Sequence, residues 1–196
     1  MLTGWQGWFG TLTGVVLVTV AALPLAATAV WILARRRGAT GTAPAWRTAL
    51  ADVGIVYGTA PWVWMILLPN HGTGDGHARV NLVPLRDLLL VLAGGPLTAT
   101  VQVVGNLLVF AALGCCLPVR FAAWASVPRI LALAAGCSVL VETLQYVLRL
   151  DRVSSVDDVL LNTAGAGLAA LASRRWWRGA PEPWSARPAS ARPRGR

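Results

Sequence analysis

Glu142, Gln145 and Arg149 stand at i, i+3 and i+7 inside an apolar stretch of the chain. On a helix that spacing puts all three on one face, with Tyr146 beside them. Gln102 and Asn106 share a face in a second apolar stretch, and Asp158, Asn162 and Gly165 share one in a third. Two kinds of chemistry fit these residue types. A buried carboxyl can give or take a proton as general acid or base. That makes Glu142 the candidate catalytic residue, with Asp157 or Asp158 as its counterpart. Alternatively, the set binds without reacting. Arg86, Arg149 and Arg152 can hold anionic oxygens, while Asn81, Gln102, Asn106, Gln145 and Asn162 orient a ligand by hydrogen bonds. No nucleophile–base pair and no phosphate-cradling glycine loop accompany the acids. Whether the chain is an enzyme therefore stays open at this point.

Plainer roles compete for the same residues. Ser155 with Asp158 three positions on is a capping-box-like helix start, and Asp157 and Asp158 suit the positive end of a helix dipole. The amides can be interhelical glue worth about 0.6 kcal/mol each. Gly165 with Ala169 is a small-xxx-small packing contact. Glu142 is the costliest, since an acid within a membrane span costs a few kcal/mol even on mild scales. A closed pair with Arg149 or Arg152 is the structural alternative. His71, Asp75 and His77 lie in a loop with three glycines between them, which reads as flexible loop rather than a metal site. Cys115, Cys116 and Cys137 read as small packing residues. No metal and no cofactor are expected.

These residues need helices to position them, and the composition says where the helices lie. Of 196 residues, 56% are hydrophobic and 13% charged, with a mean hydropathy of +0.59. A soluble domain carries about 25% charged residues, so a water-soluble enzyme is excluded. At roughly 20 residues per span, five apolar runs fit: 11–34, 49–68, 97–117, 127–150 and 156–173. The segment 82–93 is apolar but interrupted by Pro84, Arg86 and Asp87. It reads as an interfacial or re-entrant helix on the outer side. The expected fold is an all-α polytopic membrane bundle of about five helices plus that outer helix. One membrane domain covers 1–178, and an Arg/Pro-rich disordered cytoplasmic tail covers 179–196.

Charge orients this bundle. The net charge is +9, and all 17 basic residues are Arg. In a soluble protein this would suggest nucleic acid; here it reads as the positive-inside signal, and no nucleic-acid partner is expected. Thirteen arginines fall on one side, and Arg79, Arg86, Arg149 and Arg152 on the other. The expected topology is a multi-pass cell-membrane protein, N-terminus outside and C-terminus cytoplasmic. All three polar faces then lie in the outer halves of their helices, as an outward pocket would require. Five spans without an internal repeat argue against a transporter.

Four elements carry a resemblance. Asn81-Leu82-Val83-Pro84-Leu85 resembles the N-(L/I)-x-P-(F/L) element of the VanZ-like family. Gly105-Asn106 through Phe110, then Leu113-Gly114, resembles G-N-x-x-x-F-x-P-L-G. Glu142-Thr143-Leu144-Gln145 resembles E-x-x-Q. Arg152 through Asp157-Asp158, then Asn162 and Gly165, resembles R-x-x-x-x-D-D-x-x-x-N-x-x-G. Order and spacing agree over about 81–171. Ser155 stands where many members have Asp, and Ala112 where they have Pro, which leaves a straighter third helix. The resemblance implies an integral protein of the bacterial cell envelope. The family's founding member is associated with low-level resistance to teicoplanin, a lipoglycopeptide. Expected partners are membrane lipids, a lipid-linked cell-wall precursor or the lipoglycopeptide itself. The alternatives are an enzyme that modifies an envelope lipid through Glu142, and a small partner-binding membrane protein.

Overall fold

The computed structural model describes residues 12–40, 45–68, 79–150 and 153–177. Arg152, the loop with His71, Asp75 and His77, and the tail 179–196 lie outside them.

Long apolar runs become helices because the backbone can satisfy itself in no other open form within lipid. The first run is α1 (Leu12–Ala21) and α2 (Leu23–Ala39), joined almost in line through Ala22. The hydrogen-bond ladder continues across the joint, from Ala22 N to Val18 O and from Ala26 N to Ala22 O. The second is α3 (Ala45–Leu67), which accommodates Pro61 in its interior. The third is α5 (Pro96–Val109) and α6 (Ala111–Arg120); the fourth is α7 (Val127–Val147). Proline in the first turn begins α2, α5 and α7, where its missing N–H costs nothing. These four stretches are long and apolar enough to cross a membrane. Their bounds lie within a few residues of the expected ones.

The third stretch is not straight. Phe110, two residues before Ala112, leaves helical geometry at φ −113° and ψ 12° and divides α5 from α6. Phe110 is buried in the core. The bond from Gly114 N to Phe110 O bridges the break.

The expected fifth span is α8 (Val156–Ser173). It is shorter, and Asp157, Asp158 and Asn162 make it less apolar, so it falls outside that group of four. It is the most enclosed element, packed against α5, α6 and α7. Small residues permit this. A Cβ on Gly165 would stand 1.9 Å from Leu107 O, and one on Gly114 would stand 2.1 Å from Ala166 O. Backbone thus lies on backbone at two crossings, the close approach that glycine allows between membrane helices. Val109, Phe110, Ile130, Ala134, Ala166 and Ala170 form the core around them. Large side chains such as Leu25, Leu89, Leu97, Val139 and Leu168 point outward, as lipid-facing surface would.

The segment 82–93 forms one short helix, α4 (Arg86–Ala93), eight residues long. The all-α reading has one exception. β1 (Arg79–Asn81) and β2 (Val153–Ser155) pair in parallel, with Asn81 opposite Ser155. They are too short to show an alternating pattern in the sequence.

Candidate functional site

The strand pair gathers the motif residues at one end of the bundle. β2 runs directly into α8, so Ser155 is both the last strand residue and the N-cap of α8. Its hydroxyl accepts the Asp157 amide at 3.2 Å. The capping expectation therefore holds for Ser155, with the bond falling on the second helical residue.

Asp157 does something else. It is 3% exposed. Its Oδ1 accepts the Leu85 amide at 2.6 Å and its Oδ2 the Leu88 amide at 3.0 Å. Leu85 is the N-cap of α4, sits in the left-handed region at φ 66°, and has no capping side chain of its own. Asp157 supplies that cap from another element, and its negative charge meets the positive end of α4. Asn81 completes the turn. Its Oδ1 accepts the Val83 amide at 3.1 Å, and its Nδ2 donates to Asp87 Oδ1 at 2.6 Å. The Asn-Leu-Val-Pro-Leu element is thus an Asx-type turn that launches α4.

Glu142 lies nearer the helix end than a span running to 150 implies, because α7 stops at Val147. Arg149 turns the chain at φ 50°, and β2 returns alongside. Glu142 Oε2 accepts the Ser155 amide at 3.1 Å, and its carbonyl accepts the Ser154 hydroxyl at 3.0 Å. Glu142 therefore docks the strand that starts α8.

The remaining amides bridge helices. Asn106 donates to Asp158, joining α5 to α8. Asn162 donates to the buried Ser138 hydroxyl at 2.8 Å, joining α8 to α7. Gln145 donates at 3.0 Å to Ile66 O, one of the end carbonyls of α3. Arg86 and Arg149 are exposed.

Between α4, α5 and the start of α8 lies a cleft of about 230 Å³. Asp87, Gln102, Ser155, Asp157 and Asp158 give it a polar wall; Leu88, Leu90, Val91 and Leu161 give it an apolar one. Gln102 is exposed, and Asp87 turns a buried Oδ2 with no hydrogen-bond partner. The candidate set thus divides. Asp157, Asp158 and Gln102 line the cleft. Asn81 and Asn106 touch it through Asp87 and Asp158. Glu142, Gln145 and Asn162 hold the surrounding elements, and Arg86 and Arg149 are outside the lining. The wall is acidic, which suits a hydrogen-bond donor or a cation better than an anion. No group of three or more His, Cys, Asp or Glu is placed to hold a metal among the described residues.

At the opposite end stands a cluster absent from the expected site. Asp52 on α3 accepts Arg120 Nε at 2.6 Å and pairs with Arg37 of α2. Asp52 falls inside an apolar run, so the cost argument that singles out Glu142 also identifies it.

Residues 55–177 match the family model described as VanZ/LLP1. The match is wider than 81–171 and takes in most of α3. Neither the curated proteins nor the solved structures compared with the chain give a match.

Proposed function

The chain belongs to the VanZ-like family, and from that premise we propose that this multi-pass membrane protein binds the polar head of an amphipathic envelope molecule without reacting with it. The cleft between α4, α5 and α8 carries the reading. One wall carries the Asp87, Asp157 and Asp158 carboxylates with the exposed Gln102 amide, the other carries leucines, and Leu89, Leu92 and Leu97 on α4 and α5 are exposed. A head rich in ammonium or hydroxyl donors fits the acidic wall, and an acyl or prenyl chain fits the apolar flank. Lipids, a lipid-linked wall precursor and a lipoglycopeptide all share this chemistry. In the topology set by the arginine bias the cleft opens outward in the bacterial cell membrane. There it meets wall precursors and teicoplanin, and occupancy would lower susceptibility to that antibiotic.

Glu142 supports the binding reading more than an acid–base one. Its Oε2 is engaged with the Ser155 amide and its carbonyl with Ser154, so its role here is to position α8.

The test is retention. Protein purified in mild detergent is titrated with phosphatidylethanolamine, a lipid-linked wall precursor and teicoplanin, and bound species are counted by native mass spectrometry. Gln102→Trp fills the cleft from an exposed position. At least one probe should be retained, and this variant should lower its retention at least tenfold. Retention of none, or equal retention by the variant, overturns the proposal.

A further inference from the structure

The end opposite the cleft has its own crevice, built from α3, α6 and the turn Arg174–Trp176. Its volume is about 250 Å³. Trp46, Arg47 and Trp176 stand at the end where α3 begins. Leu50, Cys115 and Val119 form apolar walls. Gly54 marks the far end, where a Cβ would stand 2.8 Å from Cys116 Sγ, so α3 and α6 close together there. From Trp46 to Gly54 the crevice runs eight residues along α3, about 12 Å at ~1.5 Å per residue.

The mouth is cationic and aromatic. The Trp46 and Trp176 rings meet edge to face at 6.5 Å. The Arg47 guanidinium stands 5.7 Å from one ring centre and 5.9 Å from the other. Arg175 lies 6.0 Å from the Trp176 ring. Such contacts hold a guanidinium in place while leaving its N–H donors free for an oxyanion. Neither Arg47 nor Arg175 has an acidic partner among the described residues. Asp52, the single described acid at this end, is already shared by Arg37 and Arg120. Among the described residues no negative charge is left to balance either guanidinium.

We propose that this crevice is a binding site for an anionic phospholipid, with the phosphate between Arg47 and Arg175 and one acyl chain lying in the channel toward Gly54. A cation at the interface above an apolar channel matches that molecule in order and in polarity. Tryptophan at the same level suits the headgroup layer. The site is separate from the cleft at the motif end.

The test compares phosphatidylglycerol with phosphatidylcholine of identical chains, added to the delipidated full chain and read by native mass spectrometry. Phosphatidylglycerol should be retained at least fivefold more. Arg47→Gln with Arg175→Gln should abolish that preference. Arg35→Gln with Arg36→Gln removes the same charge at the same end and should leave it intact. Equal retention of the two lipids overturns the proposal. So does loss in both double variants, which would mean diffuse attraction to a basic surface. A second readout uses the unaltered protein. Phosphatidylglycerol should slow maleimide labelling of Cys115 and Cys116 at least fivefold relative to phosphatidylcholine, with Cys137 unaffected. Equal labelling of all three cysteines in both lipids overturns the site even if a charge preference survives.

Discussion

Asp157 caps a helix to which it is not joined: its Oδ1 accepts the amide of Leu85, 72 residues earlier in the chain, at 2.6 Å. The bond ties the first family motif to the last. α4 is only eight residues long and too short to persist alone. Its own N-cap is an apolar residue in the left-handed region. Two backbone amides at the start of α4 therefore rest on one buried carboxylate of α8. Asn81 works toward the same end from within the motif, fixing the turn and tethering Asp87.

Asp157→Asn should release α4. An amide keeps one acceptor but turns a donor toward the second backbone N–H. Charge-assisted bonds of this kind contribute about 1.5–3 kcal/mol each. Hydrogen exchange at Leu85 and Leu88 should rise by one to two orders of magnitude, while amides in the middle of α7 keep their protection. Unchanged exchange at Leu88 would mean α4 is held by other contacts.

Two glycines give opposite signs. Gly165→Ala places a methyl 1.9 Å from Leu107 O, backbone that cannot swing aside. α5 and α8 must separate, at about 1–3 kcal/mol for an overpacked contact. Gly105→Ala meets nothing within 4 Å and gains helix propensity, so it should be neutral or stabilising by up to ~1 kcal/mol. Thermal unfolding in detergent should move down for the first and level or up for the second. A common direction would contradict the packing of α8 on α5.

The helices were legible because each apolar run is long and bounded by Pro, Arg or Gly. α8 was legible too, through Ser155 and the two acids behind it. The partners of the polar residues were not. Helical spacing places Asn106 and Asp158 on faces but does not say that those faces meet. Asp157 looked like an acid for its own helix dipole because the amides it serves belong to Leu85 and Leu88, and backbone donors leave no mark in a sequence. Glu142 stood out by cost alone, and its use, receiving the Ser155 amide, depends on a three-residue strand that has no pattern to read. Asp52 is different: the signal was present, in an acid within an apolar run, and so were the arginines that answer it.

Asp52 should couple to both arginines. Its carboxylate is about one quarter exposed, with Arg37 and Arg120 similarly sheltered, so solvent screening lowers what the contacts contribute. A double-mutant cycle on Asp52→Asn and Arg120→Gln should give a coupling of about 1 kcal/mol. It should shrink as salt is raised from low to near-molar concentration. Zero coupling at low salt would make the cluster a crystal-like surface pairing with no hold on α2, α3 and α6.

Glu142 separates positioning from proton transfer. Glu142→Gln keeps an oxygen that can accept the Ser155 amide, and it leaves the backbone carbonyl for Ser154. A positioning residue should therefore tolerate the change: unfolding temperature and ligand retention should stay close to those of the parent, within about 1 kcal/mol. Glu142→Leu removes the acceptor and leaves the Ser155 amide without it at the junction of β2 and α8. That variant should lose stability by about 1–3 kcal/mol and weaken retention at the cleft, since Asp157 and Asp158 follow directly. The two outcomes differ for an acid–base residue. There, Glu142→Gln would abolish turnover of an envelope lipid while leaving binding intact. Lipid analysis of membranes from cells carrying either variant or the parent distinguishes them. A modified lipid present with the parent and missing with Glu142→Gln would assign Glu142 to catalysis, and a lipid profile unchanged across all three would leave it as the residue that seats α8.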